Sequence, residues 1–341
     1  MIEVPALDEA AMAAARERQH LLAKPVGSLG RLEDLSVWLA GVQGRCPPQP
    51  PVSPVLVIVA GDHGVAAQGI SAYPAAATAA MVGNVYAGGS AASVLAPRAG
   101  ARLRIVDAAV EADTPAEVGQ WKVRRGSGRI DHEDALHPGE AQRALDVGRL
   151  VADQEIDAGA DLLLIGDIGV GNSTACAVIV GLLTGAEPIA VVGRGSGVDD
   201  AAWMRKTAAV RDAMHRGRPY TSQALDLLQA VGGADLAVIT GLLVQAAVRR
   251  TPVLLDGLAP CSCALLAAQL APDAVRWWLA ATRSPEPAQR LALQGLQLTP
   301  LLDLQLRLGE GSGALLALPL LGAAAATLAE MATAQEAGLS R

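Results

Sequence analysis

Phenylalanine is absent from this chain of 341 residues, and aromatic side chains are scarce throughout. Five tryptophans and three tyrosines supply all of the aromatic rings. A cluster of stacked rings is therefore excluded as the main means of holding a flat ligand. We expect aliphatic side chains to make most of the contacts with any such ligand.

The chain also lacks an excess of positive charge. Lysine and arginine total 27 against 34 for aspartate and glutamate, which gives a formal net charge of −7. This balance argues against nucleic acid or an anionic membrane as the main partner, although it leaves room for a local basic pocket. The uncharged run at 311–329 is nearly long enough to cross a bilayer, but it is rich in glycine and alanine and contains Pro319. It predicts a buried helix rather than a membrane span.

Cysteines are few and show neither a disulfide pattern nor zinc spacing. The Cys-x-Cys at 261–263 has no histidine or second cysteine pair to complete a metal site, so we expect small buried thiols and no metal. The first 20 residues are polar and helical rather than signal-like. Together these features predict a protein of the reducing cytoplasm.

Aliphatic runs alternate with helical patterns along most of the chain. The strand candidates are 55–60, 102–110, 162–166, 189–193, 252–257 and a weaker 275–280. The helix candidates are 7–22, 32–42, 78–96, 139–158, 199–216 and 234–250. Unbroken aliphatic strands separated by helices are typical of a parallel sheet that is covered on both faces. We therefore predict an α/β fold, a Rossmann-like three-layer arrangement with helices on both faces of a parallel sheet.

A smaller helical lobe is expected beside this sheet. Residues 1–50 supply its N-terminal helices, and the proline-rich segment 47–54 leads into a large α/β domain at 51–285. Residues 286–341 then supply C-terminal helices that complete the lobe and the active site. In such folds ligands bind beyond the carboxyl ends of the strands.

The segment 162–174, LLLIGDIGVGNST, is the most informative in the chain. A strand is followed by a turn containing Gly169 and Gly171 and then by Asn172 and Ser173, which begin a helix. Free backbone amides and the helix dipole make such a turn an anion site. It is not a Walker loop, because no lysine follows its last glycine. It is not a dinucleotide fingerprint either, because the spacing of its glycines is different. The turn predicts a ligand that carries phosphate.

A second glycine turn, GRGSGVDD at 193–200, leads to Lys206 two helical turns later. The amide of Gly195 and the Lys206 ammonium could share the phosphate with the first turn. An ordinary strand-to-helix loop, with Asp199 or Asp200 as helix cap, is the alternative. The presence of the first turn favours a shared phosphate site.

Two further segments have structural readings that we prefer. Asp62 and His63 at a strand end could form a metal pair, but no third ligand is apparent nearby, so a turn is favoured. Lys24 and Arg31 in the segment 24–33 could reach an anion. Its proline and two glycines instead favour a plain interhelical loop.

Glu310 lies between glycines just ahead of the uncharged helix. A carboxylate against an apolar wall is desolvated, which would raise its pKa and make it a usable base near neutral pH. A carboxylate at a helix N-terminus would instead have a lowered pKa. The sequence leaves both readings open.

These segments, in this order, resemble the nicotinate-nucleotide:dimethylbenzimidazole phosphoribosyltransferase family, which makes the lower-ligand nucleotide of cobalamin. The resemblance covers nearly the whole chain. It is carried by KPVGSLGRLE, AGDHGVAAQGISAYP, NVYAGGSAASVLA, LLLIGDIGVGNSTACA, GRGSGVDDAAWMRK, PVLLDG and LTPLLDLQLRLGEGSGALLA. The family fold, a parallel sheet with a smaller lobe, agrees with the prediction above, and members are typically homodimers.

The resemblance also implies residue roles. Glu310 would be the catalytic base, assisted by the carboxylate of Asp167. The nucleotide's phosphate and ribose would lie against Gly169, Gly171, Asn172, Ser173, Gly195 and Lys206. The flat base would lie near Ser71, Tyr73, Met81 and Leu308. The chain departs from the family at Ala80, where glutamine is frequent, and at Ala288 and Gln289, where Gly-His is usual.

The activity implied is transfer of a phosphoribosyl group from nicotinate mononucleotide to dimethylbenzimidazole or a related azole, with no cofactor. A non-catalytic nucleotide- or azole-binding protein on the same fold is the alternative, and it would have no use for Glu310. A nucleotide-dependent oxidoreductase is disfavoured because the dinucleotide fingerprint is missing.

Overall fold

A five-stranded parallel sheet forms the centre of the computed structural model, which describes residues 2–339. The strand order is β2-β1-β3-β4-β5. The strands are β1 (Pro54–Gly61), β2 (Arg102–Ala109), β3 (Leu162–Ile168), β4 (Val253–Leu255) and β5 (Trp278–Ala280). The two central strands, β1 and β3, are buried along their whole length, as their unbroken aliphatic sequences predict.

Helices account for most of the remaining chain. In chain order they are α1 (Glu9–Leu21), α2 (Arg31–Gln43), α3 (Ala77–Tyr86), α4 (Ala91–Leu95), α5 (Ala116–Gly119), α6 (Glu140–Asp157), α7 (Asn172–Thr184), α8 (Pro188–Val191), α9 (Asp200–Gly217), α10 (Ala224–Val231), α11 (Ala234–Val248), α12 (Leu258–Leu270), α13 (Pro287–Leu296) and α14 (Ser312–Glu330). Short 3-10 helices lie at Gly64–Gln68, Pro97–Ala99, Arg218–Tyr220 and Pro272–Trp277.

Helices cover both faces of the sheet, which confirms the predicted α/β class. Alternate residues of β1 enter two different hydrophobic clusters, because successive side chains of a strand point to opposite faces. Val57 belongs to the cluster with buried residues of α6, α7 and α11. Ile58 belongs to the cluster with buried residues of α2, α3 and α14.

The predicted strand at 189–193 is wrong, since residues Pro188–Val191 form the short helix α8. Pro188 occupies the first helical position, where its fixed φ favours a helix start. The place beside β3 is taken by β4, through the pairing of Leu163 with Val253. Part of the weaker prediction at 275–280 is also wrong, because only Trp278–Ala280 is a strand.

The predicted helix at 78–96 is interrupted. It divides into α3 and α4 at Gly88 and Gly89, and Gly88 has a positive φ of 85° that favours glycine. Ser90 then caps α4 by accepting a hydrogen bond from the Ser93 amide. The interruption turns the start of α4 toward the loop that carries Glu310.

The two ends of the chain pack together, as expected for a small lobe. Helix α2 contacts both α1 and α14, and the Arg18 guanidinium donates to the carbonyl oxygens of Leu328 and Ala329. The division of the chain at residues 50 and 285 stays a prediction.

Helix α14 contains the uncharged run and Pro319. Among residues 2–339 it is the one helix that is long and apolar enough to cross a membrane by length and composition. More than half of its apolar window is buried inside the protein, as in the core helix of a soluble protein. Its length and composition are therefore weak evidence for a membrane span.

Candidate active site

A cavity of about 410 Å³ opens beyond the carboxyl ends of β3, β4 and β5, where the parallel sheet predicts a ligand site. Of the twelve residues proposed from the sequence, the cavity wall includes eleven: Ser71, Tyr73, Met81, Asp167, Gly169, Gly171, Asn172, Ser173, Gly195, Leu308 and Glu310. The twelfth, Lys206, lies behind the wall. The fold thus brings together segments that are far apart in the sequence.

Glu310 lies on a loop that is tied to the end of β3. The Asp167 amide donates to the Gly309 carbonyl oxygen over 2.7 Å. Gly166 has no side chain to keep this loop away, and a Cβ there would lie 2.5 Å from the Glu310 carbonyl carbon. The close approach holds the Glu310 backbone against the sheet, at the cavity.

The Glu310 side chain does not cap its own helix. Its Oε2 accepts a hydrogen bond from the Ala92 amide, in the first turn of α4, over 3.3 Å. The first turn of α14 is held instead by Asp256, whose Oδ2 accepts from the Gly313 amide over 2.7 Å. Both sequence readings of Glu310 considered only its own helix, so neither anticipated the contact with α4.

Asp256 is a wall residue that the sequence analysis missed. It is buried, and its Oδ1 accepts from the Thr282 hydroxyl over 2.5 Å. Burial raises the pKa of Asp256, against the hydrogen bonds from Thr282 and Gly313. The available signal was the aspartate-glycine pair that ends the segment PVLLDG, because it places a carboxylate at the ligand-binding edge of the sheet.

Asp167 is the other predicted carboxylate, and it is buried at the end of β3. Burial raises the pKa of Asp167 to about 8, and the nearby Asp235 and Asp256 add to the rise. The Asn172 side-chain amide donates a hydrogen bond to its Oδ2. Because a buried anion costs free energy, a positive charge close to Asp167 would stabilise its ionised form.

The first glycine turn leads directly into the N-terminus of α7. Gly171 has a φ of 94°, and its N–H and that of Gly169 make no hydrogen bond to any residue within the described range 2–339. The Val170 amide, by contrast, donates to the Thr78 hydroxyl over 3.1 Å. Two free amides at a helix N-terminus suit a phosphate.

Lys206 reaches the back of this turn from α9. Its Nζ donates to the Ser173 hydroxyl over 3.0 Å and lies 3.4 Å from the Gly193 carbonyl oxygen. The residue is only 1% exposed. Burial lowers the pKa of Lys206, whereas the negative charge of Glu286 opposes this change. The lysine therefore links the two glycine turns from behind.

The second glycine turn is held by Glu286, which the sequence analysis did not propose as a site residue. Glu286 Oε1 accepts from the Gly195 amide over 2.8 Å, so that amide already has a partner. Asp199 caps α9 by accepting from the Ala202 amide, as the alternative for this turn expected. The turn combines a helix cap with a wall of the cavity.

Gln289, at one of the departures from the family pattern, supports the loop before α13. Its Oε1 accepts from the Ser284 amide over 2.6 Å, and its Nε2 donates to the Thr282 carbonyl oxygen over 2.8 Å. The residue is fully buried. Its amide therefore organises the loop that contributes Thr282 and Ser284 to the cavity wall.

The residues expected near the flat base lie toward the cavity mouth. Tyr73 is 53% exposed and Leu308 is 50% exposed. The Ser71 hydroxyl lies 3.3 Å from the Ser196 hydroxyl of the second glycine turn. Ala80, the other departure from the family pattern, does not line the cavity.

The remaining candidates take structural positions. His63 Nε2 lies 3.0 Å from Asp235 Oδ2, and both side chains are buried. Within residues 2–339 no group of three or more His, Cys, Asp or Glu side chains could hold a metal ion. Lys24 pairs with Glu33 at 2.6 Å, and the Arg31 guanidinium donates to backbone oxygens at residues 299 and 300.

Comparison with known proteins identifies the family. The family model described as Phosphoribosyltransferase matches residues 4–339. The chain belongs to this phosphoribosyltransferase family. The resemblance drawn from the ordered motifs is confirmed.

Two mycobacterial members of the phosphoribosyltransferase family show how much of the chain is shared. The nicotinate-nucleotide–dimethylbenzimidazole phosphoribosyltransferase of Mycobacterium tuberculosis is 58% identical over 334 residues, covering 98% of this chain and 92% of that protein. The protein of the same name from Mycobacterium avium is 56% identical, covering 98% of this chain and 96% of that protein.

Solved structures of the phosphoribosyltransferase family agree with this fold. The crystal structure of CobT from Thermus thermophilus superposes with a TM-score of 0.93 at 42% identity, covering 97% of this chain and 99% of that chain. The sheet and the helices around the cavity are therefore those of an enzyme family.

Proposed function

We propose that this phosphoribosyltransferase moves the 5-phosphoribosyl group from nicotinate mononucleotide to 5,6-dimethylbenzimidazole. The products are α-ribazole 5′-phosphate and nicotinate, and the reaction belongs to the assembly of the cobalamin nucleotide loop. Relatives with this name align over 98% of the chain. The observation that carries the proposal is the position of Glu310, at the wall of the cavity that also holds the free glycine amides.

The chemistry needs one base and no general acid. An azole nitrogen attacks C1′ of the ribose, and the bond from C1′ to the pyridinium nitrogen breaks. The electron pair of that bond stays on the ring nitrogen, so nicotinate leaves with a neutral pyridine nitrogen. The second azole nitrogen loses its proton to the Glu310 carboxylate. Attack from the opposite face inverts C1′, so a β-nucleotide gives an α-riboside.

Asp167 and the glycine turns act on the other substrate. An ionised Asp167 stabilises the positive charge that develops on C1′ and the ribose oxygen in the transition state. The amides of Gly169 and Gly171, with Asn172 and Ser173, bind the phosphate and so fix the ribose. Lys206 stabilises that phosphate from behind, and holding both reactants in line lowers the barrier by several kcal/mol.

Replacing the base tests the proposal directly. Glu310→Gln keeps the shape of the side chain but cannot accept the azole proton. We expect kcat to fall by about 10²- to 10⁴-fold, measured as nicotinate and ribazole phosphate released from the two substrates. The dissociation constant for nicotinate mononucleotide stays within about twofold, because the phosphate contacts are unchanged.

Asp303→Asn is a matched control, since Asp303 is an exposed acidic residue outside the cavity wall. Its turnover should equal that of the unmodified enzyme. Near-normal turnover in Glu310→Gln contradicts the role of Glu310. An unmodified protein that binds both ligands but releases no nicotinate would instead be a non-catalytic binder.

The finer features of the proposal come from the family resemblance. The enzyme works in the cytoplasm as a homodimer and needs neither metal nor organic cofactor. Ser71, Tyr73, Met81 and Leu308 contact the azole. Aliphatic and thioether side chains then make most of the contacts with the ring, as the shortage of aromatic residues requires.

A further inference from the structure

The charges on the cavity wall are strongly unbalanced. Four acidic side chains face the cavity, namely Asp167, Asp256, Glu286 and Glu310. Among the wall residues that the structure describes, Arg307 is the one basic side chain. The nucleotide substrate nevertheless carries two anionic groups, the 5′-phosphate and the nicotinate carboxylate. The position of Arg307 therefore bears on how that substrate is held.

The Arg307 guanidinium lies beside the second glycine turn. A Cβ built on Gly197 would lie 3.7 Å from Arg307 Nη2, and Gly197 has a φ of 98°. In the same turn, a Cβ on Gly195 would lie 3.2 Å from both Lys206 Nζ and the Ser173 hydroxyl oxygen. The turn thus has a buried cation at one end and an exposed cation at the other.

The Arg307 guanidinium is also available to bind a ligand. Within residues 2–339, Arg307 makes no hydrogen bond or ion pair with another side chain or with the backbone. The neighbouring Arg194, by contrast, pairs with Asp200 and donates to the Val198 carbonyl oxygen. A free guanidinium presents five donors in a planar fork that matches the oxygens of a phosphate.

The second turn gains from this cation because the amides of Gly195 and Gly197 are occupied. The Gly195 amide donates to Glu286 over 2.8 Å, and the Gly197 amide donates to the Arg194 carbonyl oxygen over 2.9 Å. The Lys206 charge is shared with Glu286, whose field acts on its pKa. The first turn and Lys206 alone therefore leave much of a phosphate dianion uncompensated on the solvent side.

We propose that Arg307 binds the 5′-phosphate of the nucleotide substrate from the cavity mouth, opposite the buried Lys206. The two cations lie on either side of the phosphate, and the amides of Gly169 and Gly171 contact it between them. The assignment names a phosphate ligand rather than the nicotinate carboxylate. It rests on the proposed substrate, and binding can be measured without turnover.

Calorimetric titration of Arg307→Gln with three ligands, in the absence of the azole, tests this assignment. Nicotinate mononucleotide carries both anions, nicotinamide mononucleotide carries the phosphate alone, and nicotinate riboside carries the carboxylate alone. We expect the dissociation constants of both mononucleotides to rise by about 10-fold, because a charge-assisted hydrogen bond is lost. That of the riboside stays within about twofold.

Arg283→Gln is the matched control. Arg283 is likewise an exposed arginine, it pairs with Asp303 at 3.4 Å, and it lies outside the cavity wall. It should leave all three constants unchanged, and unfolding curves of both variants verify that the fold persists. Three results overturn the proposal: no change for any ligand, an equal rise for all three, or a rise confined to the two nicotinate-bearing ligands.

The two proposals fail in different ways. If the unmodified enzyme binds nicotinate mononucleotide but forms no ribazole phosphate, the proposed function is wrong while the Arg307 assignment can still be supported. If turnover is normal and Arg307→Gln binds every ligand as the unmodified enzyme does, the assignment alone is wrong.

Discussion

At the scale of single residues, the site is built from carboxylates in different surroundings. Glu310 is partly exposed at the cavity and touches a helix amide. Asp167 is buried, and burial raises its pKa to about 8. Two carboxylates in such different surroundings can take different roles in one reaction.

The raised pKa of Asp167 predicts a pH dependence. The carboxylate is charged above its pKa, so the fraction that can stabilise the transition state grows as the pH rises toward about 8. We expect kcat/KM for nicotinate mononucleotide to increase between pH 6 and 9 and then level off. Asp167→Asn should abolish this rise and lower the plateau by roughly 10²-fold. A profile that is unchanged in the variant contradicts the role.

The same burial affects stability, and its sign can be checked separately. Because the folded protein favours protonated Asp167, its contribution to the free energy of unfolding is most favourable below the unfolded pKa, near 4, and is lost as the pH rises through about 8. Asp167→Asn should therefore raise the melting temperature more at pH 9 than at pH 5. The exposed Asp212, on α9 and paired with Arg211, gives the control variant Asp212→Asn.

Residue roles were only partly predictable from the sequence. Glu310 and the glycine turns stand out because each lies in an unusual local sequence. Asp256 had a signal in the aspartate-glycine pair that ends PVLLDG, whereas Glu286 has ordinary neighbours in the sequence. The positions of Glu286 and Arg307 at the cavity depend on which loops the fold brings together. In the sequence, Gln289 is notable only as a departure from a family pattern. Its buried hydrogen bonds depend on how the loop before α13 folds back onto the helix.

At the scale of elements, the contact between β3 and the Glu310 loop fixes the position of Glu310. Gly166 allows this contact, since a Cβ there would meet the Glu310 carbonyl carbon at 2.5 Å and the Gly311 nitrogen at 2.6 Å. A glycine within a central strand is otherwise unfavourable. We infer that glycine is required here because the loop crosses so close.

Gly166→Ala should move the proposed base, Glu310, without removing it. We expect the free energy of unfolding to fall by about 1–3 kcal/mol through overpacking, and kcat to fall at least 10-fold because small displacements of catalytic groups are costly. Affinity for the nucleotide should change less than kcat, since the phosphate contacts lie elsewhere. Urea unfolding and steady-state kinetics measure these effects.

Gly83→Ala provides the comparison for this substitution. Gly83 lies on α3, and a Cβ there has nothing within 4 Å. Alanine should leave kcat unchanged and stabilise the helix by about 0.5–1 kcal/mol. Equal kinetics in Gly166→Ala and Gly83→Ala would show that the close approach does not position Glu310.

Element types followed from the sequence where one local signal dominated. The aliphatic runs of β1 and β3 are long and uninterrupted, and both are strands. The run at 189–193 is as aliphatic as they are, yet the place beside β3 is occupied by β4. Competition for a place in the sheet is a tertiary effect that periodicity cannot reveal.

At the scale of the whole molecule, the parallel sheet and its helical layers were predictable because helical patterns lie between most of the strand candidates. Strand order was not predictable, since it depends on which crossover each helix makes. The location of the cavity followed once the sheet was parallel, because all the strand ends meet at one edge.

The proposed homodimer predicts a measurable mass. Large apolar side chains remain exposed on adjoining helices, with Ile189 on α8 at 66% and Met204 on α9 at 67%. A second copy of the chain would remove such surface from water. Light scattering after gel filtration should give twice the mass of one chain over a tenfold dilution. The mass of a single chain at every concentration contradicts the prediction.

The contact between Glu310 and α4 spans 218 positions of sequence. With Glu310 as the proposed base, we expect turnover to require that the N-terminal third of the molecule and its C-terminal quarter are assembled at the same time. The free amides of the first glycine turn belong to the middle of the chain. Proteolytic nicking near the glycine pair ahead of α4 should thus silence the enzyme while it still retains its nucleotide. An assay of product formation is therefore a more sensitive test of an intact preparation than an assay of ligand binding.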